Sequence, residues 1–248
     1  MTLPEILKWS VESSPPTLQG AEVHVWRTTL DSETTDVDLL YSLLPAEERL
    51  KADRFQLDLH RRRYITAHAT LRRLIGAYLA EAFAVEPFVA GPNGKPALAG
   101  AGLRFNLSHA GALGLFAFAL EREVGIDLET VDPAVEVDSV ARTFFSQSEW
   151  SSLLALPSPR RVDGFYHVWS QKEAYLKARG EGVAHGLDHF DVAAEPDRPA
   201  SLLADRRDPL AAARWKLFTL EPGAEFRGAL AVEGRRPIAV RQFEYRQA

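Results

Sequence analysis

The run Val124-Gly125-Ile126-Asp127-Leu128-Glu129 alternates strictly between apolar side chains and glycine or acid. Such alternation predicts a strand with one face in the core. Residues two apart in a strand share a face, so Val124, Ile126 and Leu128 turn inward together. Asp127 and Glu129 then stand side by side on the opposite face, with Gly125. Adjacent carboxylates repel and call for a cation, and an all-oxygen donor set suits a hard ion such as Mg²⁺. The competing explanation is the water-facing side of an antiparallel sheet. Gly125 weighs against it, because a missing side chain leaves room for a ligand to approach.

The rest of the chain can support such a strand. Its 248 residues suffice for one large domain or two small ones, and 46% hydrophobic residues fill a sizeable core. A net charge of −5 argues against bulk nucleic-acid binding. There are no cysteines. This excludes disulfides, thiolate zinc sites and cysteine nucleophiles, and fits a reducing compartment. The N-terminus has no charged start followed by an apolar run, so no secretory signal is expected. The longest apolar run, Leu113 to Leu120, is too short to span a membrane. A cytoplasmic, enzyme-sized protein is expected.

Residues 1–20 read as an irregular lead-in, followed by a strand over Ala21 to Trp26. Pro45 with Glu47 and Glu48 marks a helix start. A long helix follows over Leu59 to Phe83, with Leu71, Leu74, Ile75, Tyr78 and Leu79 at helical spacing. Gly91 to Pro96 is a turn cluster. Leu103 to Leu107 and Leu113 to Leu120 read as strands joined by a turn over Ser108 to Ala112. After the acidic strand, helices are expected over Val137 to Phe144, from a Ser146/Glu149 capping box onward, and over Arg161 to Arg179. Gly180 and Gly182 are candidate stops for the last of these. Short strands follow near Phe190, Trp215–Phe218, Ala229–Val232 and Ile238–Tyr245. Each half holds a long helix and then strands, which predicts α+β rather than a doubly wound sheet. The expected division is 1–120 and 121–248.

Trp169, Glu173 and Lys177 are spaced by four and fall on one helical stripe. Glu173 can supply a third oxygen to the cation of Asp127 and Glu129, with Lys177 and Lys172 neutralising a phosphate. Alternatively, Glu173 and Lys177 form a solvated surface pair. Asn106-Leu107-Ser108-His109 sits at a strand end. It lacks the G-x-S-x-G elbow of a hydrolase, leaving a turn serine with a surface histidine, or a phosphate-binding pair. Gly94-Lys95-Pro96 is not a Walker A loop, since no Ser or Thr follows Lys95. Arg61, Arg62 and Arg63 cover a solvated helix face or hold a phosphate. His185 and His189 lie close in sequence, but no H-E-x-x-H pattern exists to make a zinc site.

Taken in order, these segments resemble the 4′-phosphopantetheinyl transferase family, in its larger monomeric kind that activates surfactin synthetase and related assembly lines. The resemblance rests on Gly125 to Glu129 and on Trp169-Ser170-Gln171-Lys172-Glu173-Ala174-Tyr175-Leu176-Lys177. It is extended by Phe105 to His109, Gly94-Lys95-Pro96, Phe144-Phe145-Ser146 with Glu149, and Arg54-Phe55 with Arg63. It runs from about residue 45 to 190.

The resemblance implies two pseudo-repeated α+β halves with the active site between them. The N-terminal half would hold the nucleotide end of coenzyme A. The C-terminal half would carry the metal-binding acids and the catalytic helix. The implied reaction moves 4′-phosphopantetheine from coenzyme A to a carrier-protein serine (acyl, polyketide or peptidyl), releasing adenosine 3′,5′-bisphosphate. Asp127, Glu129 and Glu173 would bind Mg²⁺ or Mn²⁺. Lys172 and Lys177 would face the phosphates, and Ser108, His109, Lys51, Arg63, Lys95 and Pro96 would lie around coenzyme A. Glu173 is the expected base for the serine hydroxyl. Glu48 stands where some relatives carry a basic residue. Two rivals remain: a Mg²⁺-dependent nucleotide pyrophosphohydrolase, and a non-catalytic partner-binding protein of the same fold.

Overall fold

The computed structural model describes residues 8–91, 94–182 and 186–246. Strands β1 (Ser10–Glu12), β2 (Glu22–Thr29), β5 (Leu103–Ala110), β6 (Leu113–Leu120) and β12 (Ala239–Tyr245) form a five-stranded sheet ordered β1-β12-β2-β6-β5. A second sheet joins β7 (Val124–Thr130), β10 (Trp215–Leu220) and β11 (Phe226–Glu233) in the antiparallel order β10-β11-β7. Two short pairs, β3 (Val89–Ala90) with β4 (Pro96–Ala97) and β8 (Phe190–Val192) with β9 (Leu202–Asp205), flank them.

The layers follow from alternation along the strands. Val23, Val25, Leu115, Ala117 and Ala119 turn toward Val124, Ile126, Leu128, Leu230 and Val232, so the two sheets pack face to face. The opposite face of the first sheet, with Trp26, Phe116, Phe118 and Phe243, is covered by Leu71, Leu74 and Ile75 of α3 (Asp58–Tyr78). The outer face of the second sheet is covered by α6 (Arg161–Arg179). The result is a helix-sheet-sheet-helix stack, in the α+β class.

Smaller helices fill the corners: α1 (Val37–Ser42), α2 (Ala46–Ala52), α4 (Val137–Phe144), α5 (Gln147–Ala155) and α7 (Ala211–Arg214). The capping box is present: Ser146 Oγ accepts from Glu149 N, and the Glu149 carboxylate accepts from Ser146 N. Gly180 closes α6 in the left-handed region at φ 71°.

Several expectations shift. Within the described part of the lead-in, β1 is a strand, paired in parallel with β12. Three residues at a sheet edge carry no periodic signal of their own. Ser108 and His109 lie inside β5 rather than in the turn, because the ladder to β6 runs on to Ala110↔Leu113. The long helix ends at Tyr78, and a 3₁₀ turn over Glu81–Ala84 completes it. β12, from the far end of the chain, lies in the first sheet between β1 and β2.

Gly125 has a different role from ligand access. A Cβ there would sit 2.2 Å from Ala174 O, 2.2 Å from Ala178 N and 2.8 Å from Ala178 Cα. The missing side chain admits the α6 backbone. Gly125→Ala is therefore expected to destabilise the chain by about 1–3 kcal/mol or more, since backbone cannot step aside as a side chain does. A lowered urea midpoint at unchanged m-value checks this.

Candidate active site

The close seating of α6 on β7 sets the site. The acid face of β7 looks at the stripe Trp169, Glu173 and Lys177. Lys177 Nζ donates to Asp127 Oδ1 at 2.6 Å and to Ser108 Oγ at 3.0 Å. Trp169 Nε1 donates to Glu129 Oε1 at 3.1 Å. Lys177 pairs with Asp127 across the helix–strand seam, so the stripe is not a solvated helix face, and neither is the acidic strand, since Asp127 is only 2% exposed.

The first sheet reaches the same place through side chains. Asn106 Oδ1 accepts from Ile126 N at 2.8 Å, and Ser108 Oγ accepts from Leu128 N at 3.2 Å. These bonds splice β5 onto β7 where no strand ladder joins them. Ser108 Oγ also donates to Asp127 Oδ1 at 3.3 Å. Alternation then turns His109 to the α3 side. Its ring keeps an exposed edge but is crowded by protein elsewhere. That crowding, followed by the positive charge of His68, Lys177, Arg63 and Lys51, pushes the imidazole below its ordinary range. A cationic rim thus borders the acids.

The acids are strained electrostatically. Burial first, and the Asp127 charge second, push the Glu129 carboxyl up to about 7. The same two causes raise Glu173 above the usual carboxylate range, with Lys177 opposing them. Asp127 Oδ2 and Glu173 Oε1 are buried without a hydrogen-bond partner. Buried carboxylate oxygens left unpaired are costly. They fit a hard divalent cation, whose ligands are such oxygens. Among the described residues no ready-made group of three metal ligands exists, and the Lys177 ammonium lies on Asp127.

Other predicted residues are spread more widely. Arg63 is clamped by Asp31, with Nε to Oδ1 at 2.8 Å and Nη2 to Oδ2 at 2.5 Å. Lys51 Nζ lies 5.4 Å from the centroid of the Tyr64 ring, which stacks on His68 at 4.0 Å. Lys95 Nζ donates to Glu123 Oε2, Val124 O and Ala178 O, at the start of β7. With Pro96 it borders a cavity of about 350 Å³ between the two sheets' helices and strands. A larger groove of about 790 Å³, lined by Arg27, Arg73 and Tyr245, holds none of the predicted residues, and the chemistry outweighs its size.

Lys172 requires a correction. It does not join Lys177 at the acids: its side chain is 0% exposed and pairs with Glu149 at 2.8 Å in the C-terminal core. Neighbouring helix residues point about 100° apart, so Lys172 cannot share the Glu173 stripe. Glu48 also differs from a bare opposing charge. Arg72 Nη2 holds it at 2.8 Å and His68 Nδ1 lies 3.4 Å away, so its charge is spent inside the α2–α3 packing. Sequence reasoning missed His68, although Tyr64 and His68 stand four apart on the helix that carries Arg63. His189 lies beside Phe190, away from the acids, and His185 is outside the described residues.

The raised Glu129 carboxyl sets a pH dependence. A carboxyl held above its unfolded value stabilises the fold fully at low pH, and that contribution is lost as pH rises toward and through 7. Glu129→Gln is expected to raise the melting temperature at pH 8 by several degrees, on the order of 5 °C, and to leave it nearly unchanged at pH 4.5. Differential scanning calorimetry at the two pH values checks this.

Comparison with known proteins agrees with the site. The model of the 4′-phosphopantetheinyl transferase superfamily matches residues 123–231, which include β7, α6 and most of β11. The chain is 38% identical to the 4′-phosphopantetheinyl transferase HetI of Nostoc sp. over 230 residues, covering 89% of this chain and 92% of that protein. It is 31% identical to psf-1 of Bacillus pumilus over 211 residues, covering 84% and 86%. It is 37% identical to Sfp of Bacillus subtilis over 120 residues, covering 48% and 51%. With acids and cations gathered at the β7–α6 seam and near-full-length likeness to HetI and psf-1, the chain belongs to the 4′-phosphopantetheinyl transferases, in their larger, Sfp-like kind.

Proposed function

We propose that this transferase moves 4′-phosphopantetheine from coenzyme A to a serine hydroxyl of an apo carrier protein. The observation that carries the reading is the juxtaposition of Asp127, Glu129 and Glu173 with Lys177, beside the rim of His109, Lys51 and Arg63. A pyrophosphate needs both parts: cations for its charge, and acids for a metal and for a proton.

Asp127, Glu129 and Glu173 would hold Mg²⁺, or Mn²⁺ in its place. Bound there, the ion supplies Lewis acidity toward the pyrophosphate. Lys177 stabilises charge on the leaving phosphate. Ser108 positions the Lys177 ammonium through its 3.0 Å bond. His109 and the neighbouring cations bind the nucleotide phosphates, with Lys95 and Pro96 toward the base. The serine Oγ forms a bond to the pantetheine-side phosphorus as the bond to the bridging oxygen breaks. Adenosine 3′,5′-bisphosphate leaves with the electron pair, and the serine proton goes to Glu173. The raised Glu173 carboxyl favours that role, because a carboxylate with a higher affinity for protons is a better base.

Two halves, 1–120 toward the nucleotide and 121–248 toward the acids, with β12 of the second half completing the sheet of the first, would act as a monomer. A cytoplasmic setting accords with the cysteine-free composition. No helix among the described residues is long and apolar enough to cross a membrane.

Mass spectrometry of apo carrier proteins incubated with coenzyme A and Mg²⁺ tests this. One phosphopantetheine should appear on the carrier serine. Coenzyme A turnover without carrier, and no carrier gain, would favour the pyrophosphohydrolase instead. Glu173→Gln and Lys177→Met should each slow carrier modification by about 100-fold or more. A Glu173→Gln rate near wild type at limiting Mg²⁺ would remove the base assignment.

A further inference from the structure

Lys172 and Glu149 form a closed polar knot. An ammonium has three protons to donate. Those of Lys172 are taken by Glu149 at 2.8 Å, Leu187 O at 2.7 Å and Phe190 O at 2.6 Å. The Phe190 ring lies 4.1 Å from the ammonium. Glu149 is equally committed, its Oε2 accepting from Ser146 N at 2.9 Å and its Oε1 from Val192 N at 2.8 Å. Neither side chain is more than 2% exposed.

The knot ties the start of α5, the middle of α6 and the chain around β8 together at one point. The next residue along α6 is Glu173, and one further turn on is Lys177. Rotation of α6 about its axis would move both off β7, while Gly125 permits only one depth of approach. The knot grips α6 at Lys172, where any such rotation would have to break its contacts with Glu149, Leu187 O and Phe190 O. A lysine so committed has no proton left for a phosphate. Withdrawing it would strip the buried Glu149 carboxylate of its counter-charge and the Leu187 and Phe190 carbonyls of the ammonium they accept from.

We propose that Lys172 is a positioning residue. With Glu149 it sets the rotation of α6 that presents Glu173 to the acids of β7, and it never touches coenzyme A. This rests on the transferase reading of the site, but it differs from a phosphate-binding role in what it predicts.

The test is a double-mutant cycle of Lys172→Met and Glu149→Gln, with Lys172→Met/Glu149→Gln as the double variant. Carrier modification is read as kcat and as KM for coenzyme A. The Mn²⁺ concentration giving half the thermal shift of the protein without coenzyme A is read separately. Each single variant should lose at least 10-fold in kcat and need at least 5-fold more Mn²⁺, with KM for coenzyme A within 2-fold of wild type. The double variant should be no worse than either single one, since both break the same knot. Glu149→Asp, which keeps the charge but shortens the reach, should shift the Mn²⁺ requirement in the same direction and keep the assay usable if the others fold poorly. The proposal is overturned if Lys172→Met raises KM for coenzyme A at least 10-fold while Glu149→Gln or Glu149→Asp stays near wild type. It is also overturned if the losses simply add. A wild-type protein that modifies no carrier, with variants that still show these Mn²⁺ shifts, would count against the transferase reading and not against the knot.

Discussion

Helix α6 lies so close to β7 at Gly125 that backbone meets backbone, with no side chain between Gly125 and the carbonyl of Ala174. That approach sets the distances that matter for chemistry. It brings the Lys177 ammonium to 2.6 Å from Asp127 and the Trp169 indole to 3.1 Å from Glu129. The apolar side of the same strand fills the layer between the two sheets. A single alternating strand therefore carries core packing on one face and the charged centre on the other, and neither face can shift without the other.

The centre is polarised across a seam. Acids on β7 and α6 stand on one side. On the other, β5 turns His109 toward the basic residues of α2 and α3. Asn106 and Ser108 hold the seam closed by accepting from Ile126 and Leu128 amides. Burial first, and repulsion from Asp127 second, push the Glu129 carboxyl up to about 7, with Lys177 opposing them. A ligand bearing both phosphates and a divalent cation would satisfy each side with the charge it lacks. The Lys172–Glu149 knot, one residue from Glu173, shows how a lysine of a charged motif can serve the scaffold instead of the chemistry.

The strand, the helix stripe and the capping box were legible because each is a local periodicity written in side-chain type. The acid face of β7 and the spacing of Glu173 and Lys177 could be placed together for the same reason. In the sequence Gly125 looks like space for a ligand, because sequence shows an absent side chain but not what fills the gap. Lys172 and Lys177 look alike as lysines of one motif, yet about 100° of helical turn per residue puts them on different faces. His68 drew no notice because its significance comes from Glu48, Tyr64 and His109, brought together by tertiary packing. β1 and β12 were the least legible in their placement, since their parallel pairing joins opposite ends of the chain.

The proposed function requires a metal and a pyrophosphate to meet at the β7–α6 seam. A crystal structure with coenzyme A and Mn²⁺, using the anomalous signal of manganese, tests it most directly. The expected result is a manganese peak within bonding distance of Asp127, Glu129 and Glu173, with the pyrophosphate between it and Lys177. A peak elsewhere, or coenzyme A phosphates seated in the Arg27–Arg73 groove away from these acids, would contradict it.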